Sequence, residues 1–333
     1  MAKPGLRNLI TDVAGLKVGH AEDMGVSTGC TVILPERRAV CAVHVAGGGP
    51  GTRETDALKA GTLVDEVDAI VLSGGSVYGL AAADGVAAEL GALGRGFAMR
   101  EQAGVPVSPV VPSAILYDLA NGGDKTWGRE PPYNALGRKA VLAASEACEI
   151  GRVGAGTGAI AGQAQGGTGS ASSVTDDGYT VGALVAVNSF GSVRVPGSDA
   201  FWAAPYEIDQ EFGGIPFPSG AQFDPEDWGA AKLNPSPREN TTIACIATDA
   251  ALTPSETQRL ADMAIAGMAR AIRPVFAPFD GDVVFALATG DKPVTDPRPL
   301  LLARLGDLAA STLSRAIARG VYAAGAASSS QLS

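Results

Sequence analysis

Glycine fills 44 of the 333 positions while aromatic residues make up only 5%, and this balance constrains the fold more than any other feature. The glycines interrupt apolar segments that otherwise read as strands and helices. Examples are Ser73-Gly74-Gly75-Ser76, directly after the buried run Ala69–Leu72, and the glycine-dominated stretch 153–170. Glycine at such places permits tight turns and close backbone approach. The chain is therefore expected to be layered, with layers packed through small residues. Apolar residues at 46% suffice for a sizeable core, and the length suits one large domain or two smaller ones.

Two strand-like runs, Cys30–Leu34 and Val40–Ala46, flank the turn Pro35-Glu36-Arg37-Arg38 and read as a hairpin. Helices are expected from about Val77 to Leu93 and from about Ala135 to Cys148, with a strand over Tyr179–Val187 ending at Asn188. Residues 200–239 are proline-rich and aperiodic, as functional loops often are. Then come the strand Thr242–Thr248 and the capping box Thr253-Pro254-Ser255-Glu256, with proline at the first helical position. The helix it opens stops before Pro274. Asp280-Gly281-Asp282 precedes the strand Val283–Leu287, and a last helix spans about Leu300–Ala323. Past Gly325, over residues 326–333, the tail reads as unstructured. Strands and helices interleave without regular βαβ repeats, which points to an α/β fold with sheets sandwiched by helices.

A net charge of −10 and a pI near 4.8 argue against nucleic acid as a partner. No apolar run approaches the roughly 20 residues of a membrane span, and the first residues lead directly into domain-like sequence, so a cytoplasmic protein is expected. Cys30, Cys41, Cys148 and Cys245 lack Cys-x-x-Cys spacing and read as buried hydrophobes. His20 and His44 are too few for a zinc cage and read as structural.

Chemistry concentrates at Asn240-Thr241, where the polar approach Asn234-Pro235-Ser236-Pro237-Arg238-Glu239 meets the apolar strand. If the chain is cut there, Thr241 gains an α-amine, with a reference pKa of about 7.7–8.0, beside its own hydroxyl. Base and nucleophile then sit on one residue. Asp280 and Asp282 lie two apart at a strand mouth, so in extended chain both carboxylates share a side. They can orient an ammonium group, share a proton or bind a cation, though no further hard ligands are at hand for a metal, and by themselves they read first as an ordinary acidic turn. The loops Ser73–Gly79 and Gly154–Gly169 can offer backbone N–H groups to an oxyanion or simply allow tight packing. Gly47-Gly48-Gly49-Pro50-Gly51 lacks the Gly-Lys-Ser/Thr ending of a phosphate loop. Tyr117 can donate a hydrogen bond in a pocket, and the Asn188 amide can polarise a carbonyl.

Together these residues resemble the self-cleaving L-aminopeptidase/D-esterase family (DmpA type), and within it the threonine-nucleophile branch of the nylon-oligomer (6-aminohexanoate-oligomer) endohydrolases. The resemblance runs from Ile10-Thr11-Asp12-Val13-Ala14-Gly15-Leu16-Lys17-Val18-Gly19-His20 through Ser73–Leu80 and Gly154–Gly158 to Asn240-Thr241-Thr242-Ile243 and Asp280-Gly281-Asp282. It implies one catalytic domain over 1–333, a four-layer αββα sandwich of the N-terminal-nucleophile hydrolase kind, cut by itself into 1–240 and 241–333. Thr241 would be the nucleophile, Asp280 and Asp282 would position it, and Asn188 would donate to the oxyanion. Tyr117, Ser76 and Tyr78 would line the substrate site. So would Gln163, which stands where that branch carries a lysine and can only hydrogen-bond. The implied substrates are small peptides, amides or oligoamides, with no cofactor or metal. The implied assembly is a homo-oligomer, a tetramer of cleaved heterodimers. An acyl transferase of the ornithine-acetyltransferase type, or an inactive relative, is the alternative.

Overall fold

The computed structural model describes residues 2–100, 102–220, 222–232, 240–295 and 297–330, the last four without their side chains. In chain order the strands are β1 (Leu16–Asp23), β2 (Thr28–Pro35), β3 (Ala39–Val45), β4 (Thr52–Arg53), β5 (Glu66–Val67), β6 (Ile70–Ser73), β7 (Ser113–Ile115), β8 (Ile160–Ala161), β9 (Ala164–Gln165), β10 (Gly167–Val174), β11 (Thr180–Asn188), β12 (Thr241–Ala250) and β13 (Val283–Lys292). The helices are α1 (Ala81–Ala92), α2 (Tyr133–Leu142), α3 (Pro254–Ala264), α4 (Ala266–Ala271) and α5 (Arg298–Ser330). One large sheet has the order β1-β2-β6-β7-β4, the second β10-β11-β12-β13-β3-β5, and β8 and β9 pair as a two-stranded sheet.

Three apolar layers hold four structural layers together. Val32, Val71, Val86, Leu90 and Leu136 join the first sheet to α1 and α2. Ile33, Leu72, Leu184, Ile243 and Phe285 fill the space between the sheets. Val185, Ile246, Leu260, Leu313 and Ile317 join the second sheet to α3, α4 and α5. The fold is the αββα sandwich. Along β12 the inter-sheet core takes Ile243, Cys245 and Ala247, and the helix side takes Ala244, Ile246 and Ala250. That alternation explains why β12 reads apolar throughout: both its faces are buried. Glycine makes the layers close. A Cβ on Gly169 of β10 would lie 1.9 Å from the Ala316 carbonyl of α5, and one on Gly19 of β1 would lie 1.8 Å from the Ala140 carbonyl of α2.

Residues 30–46 do not form a hairpin. β2 pairs with β1 and β6, whereas β3 pairs with β13 and β5 in the other sheet. Ile33 and Cys41 both enter the inter-sheet core, so the two runs stack face to face, an arrangement whose alternating pattern matches that of a hairpin. α2 stops at Leu142, short of Cys148, because Ser145 bridges to Val18 of β1. The last helix is longer than expected. Its backbone runs to Ser330, so 326–330 continue α5 instead of forming an unstructured tail, and 331–333 lie outside the described residues. The capping box is present: the Thr253 hydroxyl accepts from the Glu256 N–H, and the Glu256 carboxylate accepts from the Thr253 N–H.

Sheet topology gathers the candidate residues. β12 and β13 are parallel, so the start of one lies beside the start of the other. β11 is antiparallel to β12, so its last residue lies at that same edge, with Asn188 in register with Thr241. The bridge between Asn240 and Asp280 keeps the same register three residues ahead of the Ile243–Val283 pair.

Candidate active site

Thr241 opens β12, buried to 4% exposure, and Asn240 is fully buried. The Thr241 hydroxyl donates to the carbonyl oxygen of Asn240 at 2.5 Å. The same oxygen accepts the Gly281 N–H at 2.9 Å. A nucleophilic oxygen and a fixed backbone donor thus converge on one carbonyl, the donor lying where negative charge would develop on attack. Gly281 is required for this closeness. A Cβ there would stand 2.6 Å from the Thr241 hydroxyl.

The two aspartates flank that glycine. Asp282 accepts the Thr242 N–H at 2.7 Å and the Phe276 N–H at 3.2 Å. Asp280 accepts the Ala277 N–H through Oδ2 at 2.8 Å, while its buried Oδ1 has no partner among the described residues. Burial pushes Asp280 up to about 6, and burial together with the charge of Asp280 pushes Asp282 up to about 7. Two carboxylates so placed resist ionising together. The loop after β3 clamps their turn. Gly49 donates to the Asp280 carbonyl at 2.7 Å, and Ala46 donates to that of Asp282 at 2.9 Å. Gly47 has no room for a side chain, since its Cβ would meet the Asp280 carbonyl at 2.2 Å.

Asn188 is fully buried beside Thr241, and its amide is engaged. Oδ1 accepts the Ile160 N–H at 2.9 Å, and Nδ2 donates to the Tyr117 carbonyl at 2.9 Å. Tyr117 therefore reaches the centre through its backbone. Gln163 bonds instead to the segment 230–232, its Nε2 donating to the Ala231 carbonyl at 3.1 Å. Ser76 donates its N–H to Leu116 at 2.9 Å. Tyr78 is 47% exposed, packs edge-on against Trp127, and makes no hydrogen bond to the centre among the described residues. The structure thus assembles Asn240, Thr241, Asp280, Asp282 and Asn188, and leaves Ser76 and Tyr78 on the short 3-10 helix Ser76–Leu80 that follows β6. Residues 234–239, the proline-rich approach, lie outside the described residues.

Gly281, Asn121 and Lys232 are not among the residues singled out from the sequence. Asn121 donates to the Gly158 carbonyl at 2.8 Å and reaches Asn188 Oδ1 at 3.4 Å. The Lys232 ammonium donates to the Asn188 carbonyl at 3.4 Å. Both sit in aperiodic stretches, where spacing carries no signal; the glycine between two acids was the one visible hint. The histidines stand apart. His20 lies between Thr31 and Cys148, and burial lowers it to about 4. His44 is half-buried on β3 and pairs with Asp262 of α3 at 2.8 Å. All four cysteines are free and buried.

The family model for peptidase family S58 matches residues 8–331. The chain belongs to peptidase family S58. Its relatives include an uncharacterized aminopeptidase of Mycobacterium tuberculosis, 42% identical over 332 residues and covering 94% of this chain and 93% of that protein. The 6-aminohexanoate-oligomer endohydrolase of Kocuria sp. is 32% identical over 297 residues, covering 86% of this chain and 76% of that one. Among solved structures, the Burkholderia sp. beta-aminopeptidase superposes with a TM-score of 0.71 at 25% identity, over 96% of this chain and 88% of its own. The L-aminopeptidase D-Ala-esterase/amidase of Ochrobactrum anthropi, a variant of the Ntn-hydrolase fold, gives a TM-score of 0.71 at 22% identity, over 97% and 88%. This S58 member is a peptidase/amidase acting on amide bonds. Among the described residues no helix is long and apolar enough to cross a membrane.

Proposed function

We propose that this S58 peptidase matures by cutting its own chain between Asn240 and Thr241 and then hydrolyses amide or ester bonds of small peptides or oligoamides through an acyl-enzyme on Thr241. The observation that carries the reading is the convergence of the Thr241 hydroxyl and the Gly281 N–H on the Asn240 carbonyl oxygen, at 2.5 and 2.9 Å. In the precursor the Thr241 oxygen attacks that carbonyl carbon. The C–N bond breaks, the nitrogen leaves as an amine, and an ester joins Asn240 to the threonine oxygen. Water hydrolyses the ester, giving 1–240 and 241–333.

In the cut enzyme the freed α-amine takes the hydroxyl proton. Asp280 and Asp282, on the turn beside it, hold that amine. The Thr241 oxygen attacks a substrate carbonyl, the substrate amine leaves, and water releases the acid. The Asn188 amide is the proposed side-chain donor to the oxyanion. It would reach the substrate by exchanging its bond to Tyr117, whose ring, with Gln163, Ser76 and Tyr78, would line the substrate path.

Intact mass of purified protein tests the first step, and a panel of aminoacyl amides and oligoamides tests the second. Two masses meeting at 240/241, a single uncut mass for Thr241→Ala, and loss of amide hydrolysis in that variant are expected. A cut Thr241→Ala chain would refute the mechanism. Acyl transfer to an added amino acid, in preference to water, would make the protein a transferase. By family resemblance the cut enzyme is a tetramer of heterodimers, which sedimentation checks.

A further inference from the structure

We propose that Lys232 is a positioning residue of this centre, the counter-charge of Asp280, delivered by a segment that Gln163 clamps in place. The inference rests on the self-cleaving reading and deepens it. Before the cut, the Thr241 nitrogen belongs to a peptide bond and cannot take up a proton. Another group must accept the hydroxyl proton at the moment of self-cleavage. Asp282 has both oxygens occupied by backbone N–H groups, whereas Asp280 keeps Oδ1 without a partner among the described residues. Asp280 thus has a carboxylate oxygen left open for a proton, and it can take one up only as the ionised member of the pair.

Lys232 supplies that selection. Its ammonium lies 3.4 Å from the carbonyl of Asn188, the register partner of Thr241. Its charge acts on Asp280 and favours the ionised carboxylate. The placement is built from several contacts. Gln163 donates its backbone N–H to Ala230 at 2.8 Å and its side-chain amide to Ala231 at 3.1 Å. Lys232 donates its own N–H to Phe190 at 3.0 Å. Phe190 meets Trp228 of the same segment edge-on at 5.6 Å and Phe279, the neighbour of Asp280, at 4.9 Å. The other elements around Asp280 present different chemistry: the loop after β3 its backbone N–H groups, the end of β11 the Asn188 amide, and its own turn the carboxylate of Asp282.

The test is the rate of self-cleavage as a function of pH, read by intact mass, for the unsubstituted chain, Lys232→Gln, Lys232→Arg and Gln163→Ala. A nearby opposite charge lowers a carboxylate's pKa by about 1–3, and the lower end, about tenfold in ionised fraction, is the expectation for Asp280. Lys232→Gln should therefore cleave about tenfold more slowly near pH 6, with its pH midpoint raised by about one. Lys232→Arg should restore the midpoint. Gln163→Ala keeps the lysine but loosens its segment, and should move the midpoint in the same direction by less. Once cut, the Thr241 amine is the base, so turnover by matured enzyme should respond less than self-cleavage does. A folded Lys232→Gln protein with the unsubstituted midpoint overturns the inference and leaves the self-cleaving reading intact. If Lys232→Gln does not fold, an unmoved midpoint in Gln163→Ala overturns it. An unsubstituted chain that stays whole at every pH overturns both.

Discussion

Replacing Gly281 by alanine probes the centre without removing any catalytic side chain. The backbone there is not left-handed, so alanine is conformationally allowed and the effect is steric. The added Cβ would sit 2.6 Å from the Thr241 hydroxyl oxygen, where ordinary contact begins at 3.4 Å. The hydroxyl must therefore retreat by about 3.4 − 2.6 = 0.8 Å, or rotate to another staggered well, and either movement takes it off the Asn240 carbonyl. A misplacement of about 1 Å at a reacting atom costs about 100-fold in rate, or about 2.7 kcal/mol of barrier. The assay is the time course of the uncut mass after purification, with a thermal melt to show that the fold is kept. Gly91→Ala in α1 is the control. Its nearest foreign atom is 3.6 Å away, so it should cleave normally, with stability changed by at most about 1 kcal/mol. If folded Gly281→Ala cleaves as fast as this control, the proximity of hydroxyl and carbonyl is not what drives the reaction.

Asn188→Ala removes the acceptor of the Ile160 N–H and the donor to Tyr117, and by the proposed oxyanion role should slow amide turnover by 2.7–4 kcal/mol, roughly 100- to 1,000-fold; unchanged kcat would remove it from the mechanism. Asp280 and Asp282 both have folded pKa values raised above the ordinary 3.8. Their contribution to stability is therefore greatest below about pH 4 and is lost as pH rises through about 7. In a Thr241→Ala background, which stays uncut, Tm should fall over that window, and Asp280→Asn should flatten the fall; an equally steep curve would show that the pair is not the cause. Arg315→Met strips a fully buried guanidinium from Glu211, Asn8 and Ser172 and should cost about 3–5 kcal/mol, read from the urea midpoint.

The αββα order, β11 to β13 and the capping box at Thr253 were legible because burial on both faces and helix-start chemistry leave local marks. Partner choice left none. Cys30–Leu34 and Val40–Ala46 carry the alternation of a hairpin, and only their strand partners, β1 and β6 for one and β13 and β5 for the other, place them in different sheets. The site was legible in its polar side chains and illegible in its backbone. Asn240, Thr241, Asp280 and Asp282 announced themselves by type and position. The Gly281 N–H did not, because a glycine between two acids reads as an ordinary turn. Lys232 was hidden for a different reason: its role depends on contacts from Gln163 and Phe190, which lie 69 and 42 positions away.

The interleaving of the second sheet has a thermodynamic consequence. Along it, β11 and β3 come from the part of the chain before the Asn240–Thr241 bond, and the neighbours they enclose, β12 and β13, come from the part after it. The proposed scission would therefore expose no new strand edge, and the native shape would persist. Denaturation, however, would release two molecules whose strands must find each other again. Refolding of the cut form would be second order and slower on dilution, whereas the uncut chain would refold at a rate independent of its concentration. Heat tolerance of the matured enzyme would then be a matter of how slowly it opens, not of where an equilibrium lies.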